Sequence, residues 1–130
     1  MSKHVLTVDD EAGIRRLVQL NLERAGYRVS TAIDGVDGLD KVAAELPDLV
    51  ILDITMPRMD GFEFLRQLKS KPEFAAIKVI CLTARSRDED VFHSQRAGAD
   101  LYLPKPFSPI QLLQAVKEVF REPAEGASGV

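Results

Sequence analysis

The sequence predicts one small α/β domain, in which helices cover both faces of a five-stranded parallel sheet in a doubly wound arrangement. Two features of the chain indicate this fold. Short apolar runs alternate with segments whose apolar residues recur every three or four positions, as they do on one face of a helix. The runs at residues 49–52 and 79–82 are apolar at every position, which is typical of strands buried on both faces. Right-handed crossovers leave few other ways to connect such repeats.

The composition is that of an ordinary globular domain. The chain has 130 residues, of which 45% are hydrophobic and 28% are charged. It contains no apolar run near the ~20 residues that cross a bilayer, and its start lacks a signal peptide's apolar segment, so we expect a cytoplasmic protein without a membrane partner. The net charge of −3 gives no broad basic surface, which argues against direct nucleic-acid binding. Residues 1–122 are predicted to form the domain, and residues 123–130 a flexible tail or linker.

The first half of the chain contains two predicted strand–helix units and a third strand. Residues 5–8 form a short, mostly apolar run, and the helical stripe after it consists of Ile14, Leu17, Val18, Leu22 and Ala25. Gly26 stands where the residue after a helix often adopts a left-handed conformation, and residues 27–32 alternate like a second strand. The second stripe, before the third strand, consists of Leu39, Val42, Ala43 and Leu46.

The second half of the chain continues the same pattern. A third stripe and a weaker fourth stripe consist of Phe62, Leu65 and Leu68, and of Val91, Gln95 and Ala97. A brief fifth strand is predicted at residues 101–103. Residues 108–111 combine a capping serine, a proline in the first turn and a glutamine at the third helical position, so a fifth helix begins there. Its predicted buried face consists of Ile110, Leu113, Val116, Val119 and Phe120.

Polar residues follow the carboxyl ends of four of the predicted strands. They are Asp9, Asp10, Asp53, Thr83 and Lys105. In doubly wound sheets the ligand binds at this edge, near the point where the strand order reverses. Three neighbouring carboxylates repel one another unless a cation lies among them. Oxygen ligands without histidine or thiolate suit a hard ion, so the sequence predicts Mg²⁺.

The chemistry at this edge points to phosphoryl transfer. Thr83 offers a hydroxyl donor and Lys105 a mobile positive charge, both suited to phosphoryl oxygens. With no serine, cysteine or histidine at the strand ends, the nucleophile must be a carboxylate, and carboxylates accept phosphoryl groups as acyl phosphates. Each residue also has a structural interpretation, as a turn, a cap, a strand end or a solvated charge. Four such coincidences at one edge of the sheet are less plausible than a functional site.

Four segments resemble the signature motifs of response-regulator receiver domains. They are Val8-Asp9-Asp10-Glu11, Leu52-Asp53-Ile54-Thr55-Met56-Pro57-Arg58-Met59-Asp60-Gly61, Leu82-Thr83-Ala84 and Pro104-Lys105-Pro106-Phe107. The resemblance covers residues 3–121 and leaves no signature position unfilled. It implies the flavodoxin-like strand order 2-1-3-4-5 and a cis peptide bond before Pro106.

The resemblance also implies a role for each site residue. Asp53 would accept the phosphoryl group, with Thr83 and Lys105 assisting the transfer. The implied Mg²⁺ ligands are Asp9, Asp10, Asp53 and the backbone carbonyl of Thr55. The phosphoryl donor would be a phosphohistidine of a histidine kinase or a histidine phosphotransfer protein, and water would later remove the group. The domain would therefore be a signalling switch that catalyses its own phosphorylation and dephosphorylation, and not an enzyme with a separate substrate.

The same resemblance implies how the signal is read. Thr83 would move toward the phosphoryl group, and Tyr102 on the fifth strand would turn into the vacated space. The output face would consist of the fourth predicted helix, the fifth strand and the fifth helix. Its reader would be an effector protein or a linked output domain. The domain would be a monomer or a dimer that forms on phosphorylation.

Three alternatives bear on this interpretation. A Mg²⁺-dependent phosphatase of the haloacid dehalogenase type has a second acid two residues past its nucleophile, where this chain has Thr55 after Asp53. A flavodoxin-like electron carrier has a hydroxyl-rich and glycine-rich phosphate loop after the first strand, where the acids at residues 9–11 would repel a phosphate. A receiver that acts only as an interaction module would not need every site residue.

Overall fold

The computed structural model of the protein describes residues 3–54, 61–83 and 98–121. In these ranges the strands are β1 (His4–Val8), β2 (Arg28–Ala32), β3 (Leu49–Asp53), β4 (Lys78–Thr83) and β5 (Leu101–Pro104). The helices are α1 (Ala12–Arg24), α2 (Gly35–Glu45), α3 (Gly61–Ser70) and α4 (Pro109–Phe120), with a 3₁₀ turn at Pro72–Phe74. The fourth predicted helix, around residues 91–97, lies outside the described residues. Helix α4 therefore corresponds to the fifth predicted helix.

The strands form one parallel sheet in the order β2-β1-β3-β4-β5, which confirms the predicted fold. Strands β1 and β3 are neighbours at the point where the order reverses, and all their residues are buried. Val8 and Leu52 are the last paired residues of these two strands. Asp9 and Asp53, the next residues along each strand, therefore leave the sheet side by side at the edge where such folds bind ligands.

Two apolar layers attach the helices to the sheet. Helices α2 and α3 pack on one face, and their buried side chains in this layer are Val42, Phe64, Leu65 and Leu68. Helices α1 and α4 pack on the other face through Val18, Leu22, Leu112, Ala115 and Val116. Burying one such large side chain stabilises the fold by about 1.5–3 kcal/mol. The sheet is thus covered on both faces by helices.

The predicted buried faces of the helices are correct only in part. Four side chains that were expected in the core are exposed: Ala25, Ala43, Leu46 and Ile110. Leu46 lies beyond the last turn of α2, where it caps the helix with a φ of 49°. In α4 four of the five predicted residues, Leu113, Val116, Val119 and Phe120, do lie in the apolar layer, whereas Ile110 is 69% exposed and Leu112, which was not predicted, is buried. Ile110 lies in the first turn of α4, so apolar spacing alone does not show that it is exposed.

The predicted helix ends are correct. Gly26 has a φ of 98° directly after the capping residue of α1, a conformation that glycine adopts without strain. At the start of α4 the Ser108 hydroxyl accepts a hydrogen bond from the Gln111 backbone N–H at 3.1 Å. The Gln111 side chain accepts one in return from the Ser108 N–H at 2.9 Å. This capping box begins α4 directly after the loop that carries Lys105.

Thr7 has a buried hydroxyl that lacks a hydrogen-bond partner among the described residues. It lies in the middle of β1, paired with Thr31 and Ile51. Valine has nearly the same shape without the desolvated hydroxyl, so Thr7→Val is expected to raise the free energy of unfolding by about 1 kcal/mol. Urea unfolding monitored by circular dichroism measures this change. The matched control is Thr7→Ser, which keeps the hydroxyl and should be less stable than wild type; a destabilised Thr7→Val protein would contradict the expectation.

Candidate functional site

Three carboxylates meet where β1 and β3 end. Carboxylate oxygens of Asp9, Asp10 and Asp53 all lie within 4.8 Å of one another. Asp9 and Asp53 are 0% and 1% exposed, while Asp10 is exposed to solvent. The two buried acids leave adjacent strands of the sheet, and Asp10 follows Asp9 directly. The structure therefore brings together the acid cluster that the sequence predicts.

The two oxygens of Asp9 have different surroundings. Oδ1 accepts a hydrogen bond from the Glu11 backbone N–H at 2.9 Å. Oδ2 is buried and has no hydrogen-bond partner among the residues that the structure describes. The backbone carbonyl of Asp9 accepts a hydrogen bond from Arg15 Nη1 at 2.7 Å, which holds the start of the loop against α1. One oxygen is thus anchored, and the other has no donor from residues 3–54, 61–83 and 98–121 and could bind a ligand.

The electrostatics of Asp9 point to a cation. Burial, the largest cause, raises the pKa of Asp9 to about 7; Asp53 raises it further, while the Glu11 N–H and Lys105 lower it. Without a cation, Asp9 is therefore only partly ionised near neutral pH. A divalent ion among the three carboxylates would favour the ionised form and engage the free Oδ2. The three side chains offer carboxylate oxygens as ligands, and such ligands fit Mg²⁺.

Lys105 reaches this cluster from the loop after β5. Its ammonium nitrogen lies 3.4 Å from Oδ2 of Asp53 and 3.5 Å from Oε1 of Glu11. Burial lowers the pKa of Lys105, but the carboxylates of Asp53, Asp9 and Glu11 together raise it above its ordinary value. The side chain therefore stays charged. The predicted cis peptide bond between Lys105 and Pro106 is confirmed, and the Lys105 backbone N–H donates to the Thr83 carbonyl.

Thr83 is the last residue of β4 and is fully buried. Its Oγ1 has no hydrogen-bond partner among the described residues, like Oδ2 of Asp9. Tyr102 is paired in the sheet with Cys81, two residues before Thr83, so both side chains lie on the face that packs against α2 and α3. Tyr102 is partly buried against that layer. The two residues of the predicted switch therefore share one face of the sheet.

The structure brings five of the predicted site residues to one edge of the sheet. Of the other two, Tyr102 lies within β5, and Thr55 lies outside the described residues. Two contacts of this site were not predicted: Glu11 with Lys105, and Arg15 with the Asp9 carbonyl. For Glu11 the sequence does carry a signal, because a third acid follows the aspartate pair at a strand end. The contact itself could not be predicted from local spacing, because Glu11 and Lys105 are far apart in the chain.

Comparison with known proteins assigns the chain to a family. The family model described as the response regulator receiver domain matches residues 5–117. The chain belongs to this family. It is therefore a receiver domain of the two-component response regulators, a signalling switch, and the family resemblance predicted from its motifs is confirmed. The phosphatase and electron-carrier alternatives are wrong.

Individual relatives agree with this assignment. The alkaline phosphatase synthesis transcriptional regulatory protein PhoP of Bacillus subtilis is 42% identical over 121 residues, which are 93% of this chain and 50% of PhoP. The response regulator MprA of Mycobacterium tuberculosis is 40% identical over 93% of this chain and 52% of MprA. Among solved structures, the chemotaxis protein CheY4 of Vibrio cholerae has a TM-score of 0.89 and 35% identity, over 92% of this receiver domain and 100% of CheY4.

The relatives also show how much of a response regulator the chain represents. It spans about half the length of PhoP and MprA. CheY4, in contrast, is matched over its whole chain.

Among the described residues, no helix is both long enough and apolar enough to span a membrane.

Proposed function

We propose that this receiver domain accepts a phosphoryl group on Asp53 from a phosphohistidine, in a Mg²⁺-dependent reaction, and changes conformation to control an effector. The main support for the proposal is the position of Asp53. Its carboxylate lies 1% exposed at the sheet's switch point, among two further acids and 3.4 Å from the Lys105 ammonium. A buried carboxylate beside a cation site and a mobile positive charge suits the acceptance of a phosphoryl group.

The proposed ligands of Mg²⁺ are the carboxylates of Asp9, Asp10 and Asp53 and the backbone carbonyl of Thr55. The free Oδ2 of Asp9 supports this set, because a buried carboxylate oxygen without a donor is otherwise unfavourable. When bound, the ion neutralises the carboxylates and the phosphoryl oxygens, so that one anion can approach another. Removal of the ion should therefore stop the reaction.

The side chains of the domain perform the transfer. An oxygen of the Asp53 carboxylate attacks phosphorus in line, the bond from phosphorus to the imidazole nitrogen breaks, and the nitrogen keeps the electron pair. Lys105 Nζ and the Thr83 hydroxyl donate hydrogen bonds to the phosphoryl oxygens. In the later hydrolysis, water attacks phosphorus, the bond from phosphorus to the Asp53 oxygen breaks, and inorganic phosphate leaves the restored carboxylate. Positioning and charge neutralisation supply most of the rate.

The phosphoryl group would be read through Thr83 and Tyr102. A new dianion on Asp53 attracts the Thr83 hydroxyl, and Tyr102, on the same face of the sheet, turns into the space beside it. The proposed output face consists of the fourth predicted helix, β5 and α4. PhoP is named as a transcriptional regulatory protein, so we propose that the effector is an output domain or partner that controls transcription. The receiver unit itself, residues 1–122, would work in the cytoplasm without contacting nucleic acid.

The proposed partners have distinct chemistry. The proposed donor is a histidine kinase or a histidine phosphotransfer protein, because the labile phosphorus–nitrogen bond of a phosphohistidine can pass its phosphoryl group to a carboxylate. The effector meets the output face, either in another protein or in a domain linked through the tail at residues 123–130. The domain itself would be a monomer, or a dimer that forms on phosphorylation.

The decisive experiment compares intact masses after incubation with acetyl phosphate and Mg²⁺. The wild-type domain is expected to gain the mass of one phosphoryl group, and Asp53→Asn to gain none, because the amide is not a nucleophile for phosphorus. Adding a chelator should remove the gain from the wild type. Asp40→Asn, which removes an exposed carboxylate from α2, is the matched control and should be phosphorylated like wild type. A phosphoryl adduct on Asp53→Asn, or none on the wild type, would refute the assignment.

A further inference from the structure

We infer that Glu11 is a positioning residue that holds Lys105 in the resting domain and slows phosphorylation of Asp53. This inference rests on the proposed function, because it concerns the rate at which Asp53 accepts a phosphoryl group. It starts from a contact between two loops. Glu11 belongs to the loop between β1 and α1, and Lys105 to the loop between β5 and α4. Their side chains link these loops directly, with Nζ and Oε1 3.5 Å apart.

The backbone of Glu11 is held firmly in the site. Its N–H donates to Oδ1 of Asp9, and its carbonyl accepts a hydrogen bond from the Arg15 N–H at 3.0 Å. Glu11 is the capping residue of α1, yet its side chain makes no capping hydrogen bond. The side chains that usually cap a helix at this position are those of Ser, Thr, Asp and Asn. Here the carboxylate is turned toward Lys105 instead.

Lys105 is shared almost equally between two carboxylates. Its ammonium lies 3.4 Å from Asp53 and 3.5 Å from Glu11, and both distances exceed the ~2.7–2.9 Å of a close ion-paired hydrogen bond. The ammonium therefore bridges the two acids without closing on either. Its side chain is 15% exposed, so it has little solvent to replace a lost partner.

Phosphorylation changes the balance between these partners. The phosphoryl group adds negative charge on the Asp53 side, and Lys105 must move toward it to contact its oxygens. That movement lengthens or breaks the contact with Glu11. An interaction present before the transfer and lost during it stabilises the resting state selectively. Glu11 therefore opposes the step in which Lys105 engages the phosphoryl group.

The effect of Glu11 on the rate of phosphorylation should be small and should depend on the salt concentration. The Glu11 side chain is 62% exposed, and ion pairs with one exposed partner are weak because water and salt screen them. We expect Glu11→Gln to be phosphorylated about two- to five-fold faster than wild type at low ionic strength. The difference should shrink as salt is added, because salt weakens the same contact in the wild type. A merely structural role for Glu11 would not produce this dependence.

The test follows the initial rate of phosphorylation by acetyl phosphate with Mg²⁺ at saturation for each protein. Saturating Mg²⁺ separates the effect on Lys105 from any change in ion affinity that the lost charge causes. Glu118→Gln removes an exposed glutamate from α4, and this matched control should keep the wild-type rate. The nuclear magnetic resonance signal of the Lys105 ammonium gives a second readout, which should shift in Glu11→Gln and not in the control.

The possible outcomes separate this inference from the proposed function. Faster phosphorylation of Glu11→Gln at low salt, converging with wild type at high salt, supports the inference. Equal rates, or a slower variant, overturn it while phosphorylation of the wild type leaves the proposed function intact. If the wild-type domain gains no phosphoryl group at all, both fail together, and the absence of the wild-type adduct identifies that case.

Discussion

Replacing Asp9 with asparagine is expected to stabilise the metal-free domain by about 2 kcal/mol at pH 8. Asp9 is fully buried, and burial is the main reason for the rise of its pKa to about 7. At pH 8 its negative charge is therefore held in an unfavourable place, beside Asp53. Asparagine removes that charge and keeps an oxygen that accepts from the Glu11 N–H. Residues that bind a ligand commonly lower the stability of the ligand-free fold.

The sign of the pH dependence follows from the raised pKa. A carboxyl group with a higher pKa in the folded state than its ordinary 3.8 binds its proton more tightly when folded. The wild type should therefore lose stability as pH rises from about 4 toward 7, and the loss should be complete above pH 7. The advantage of Asp9→Asn should grow over the same window and then level off. Urea unfolding between pH 4 and 8 in the presence of a chelator measures both proteins.

Added Mg²⁺ should reduce the advantage in stability of Asp9→Asn over the wild type. A ligand that binds only the folded state stabilises it more the more tightly it binds, with a logarithmic dependence on affinity, and Asp9→Asn lacks one ligand oxygen with its charge. The wild type should thus gain more from Mg²⁺ than the variant does. Asp40→Asn serves again as the control for loss of a charge at the surface. An Asp9→Asn protein that is less stable than wild type at pH 8 without Mg²⁺ would contradict the account of Asp9.

Replacing Gly61 with alanine is expected to destabilise the domain by on the order of 3 kcal/mol. A Cβ at Gly61 would lie 2.2 Å from the Cα of Ile54, and backbone atoms cannot move aside as the end of a flexible side chain can. Gly61 begins α3, and its N–H donates to the Ile54 carbonyl at 3.4 Å. Ile54 directly follows Asp53. The close approach of Gly61 therefore determines the position of Ile54, the residue after the proposed phosphoacceptor. Phosphorylation of Gly61→Ala should for this reason also be slower than that of the wild type.

Gly13 provides a matched control for the same substitution. It lies in α1, and a Cβ there would meet nothing within 4 Å. Because alanine favours helix more than glycine does, Gly13→Ala should stabilise the domain by about 0.5–1 kcal/mol. Thermal and urea unfolding of both variants measure the contrast. Equal changes in stability for Gly61→Ala and Gly13→Ala would show that the contact with Ile54 does not destabilise the alanine variant.

Much of the fold follows from local patterns in the chain. Runs that are apolar at every position identify β3 and β4, because a strand covered by helices on both sides has no exposed face. Glycine at residue 26 and the serine–glutamine pair at residues 108–111 mark helix ends, because those ends need a left-handed residue or a side-chain cap. Such signals lie within a few residues of the structure that they specify. They remain valid wherever the helix or strand lies in the fold.

The positions of the site residues were also predictable, although they are far apart in the chain. In a parallel sheet every strand ends at the same edge, so residues that follow the strands converge without any further information. Asp9, Asp53 and Lys105 meet for this reason. The Mg²⁺ and phosphoryl chemistry remains a prediction for the chain, and it rests on which residue types stand at those ends.

The sequence by itself determined the class of the fold, the order of its elements and the residue types at the ligand edge. The tertiary structure alone decided which residues at the margins of the predicted helix faces are exposed, as Ile110 shows. It also decided how charges are shared in the site: the bridging of Lys105 between Asp53 and Glu11, and the raised pKa of Asp9. The physical reason is distance along the chain. Periodicity and capping act between near neighbours, whereas helix rotation, burial and ion pairing depend on residues that only folding brings together.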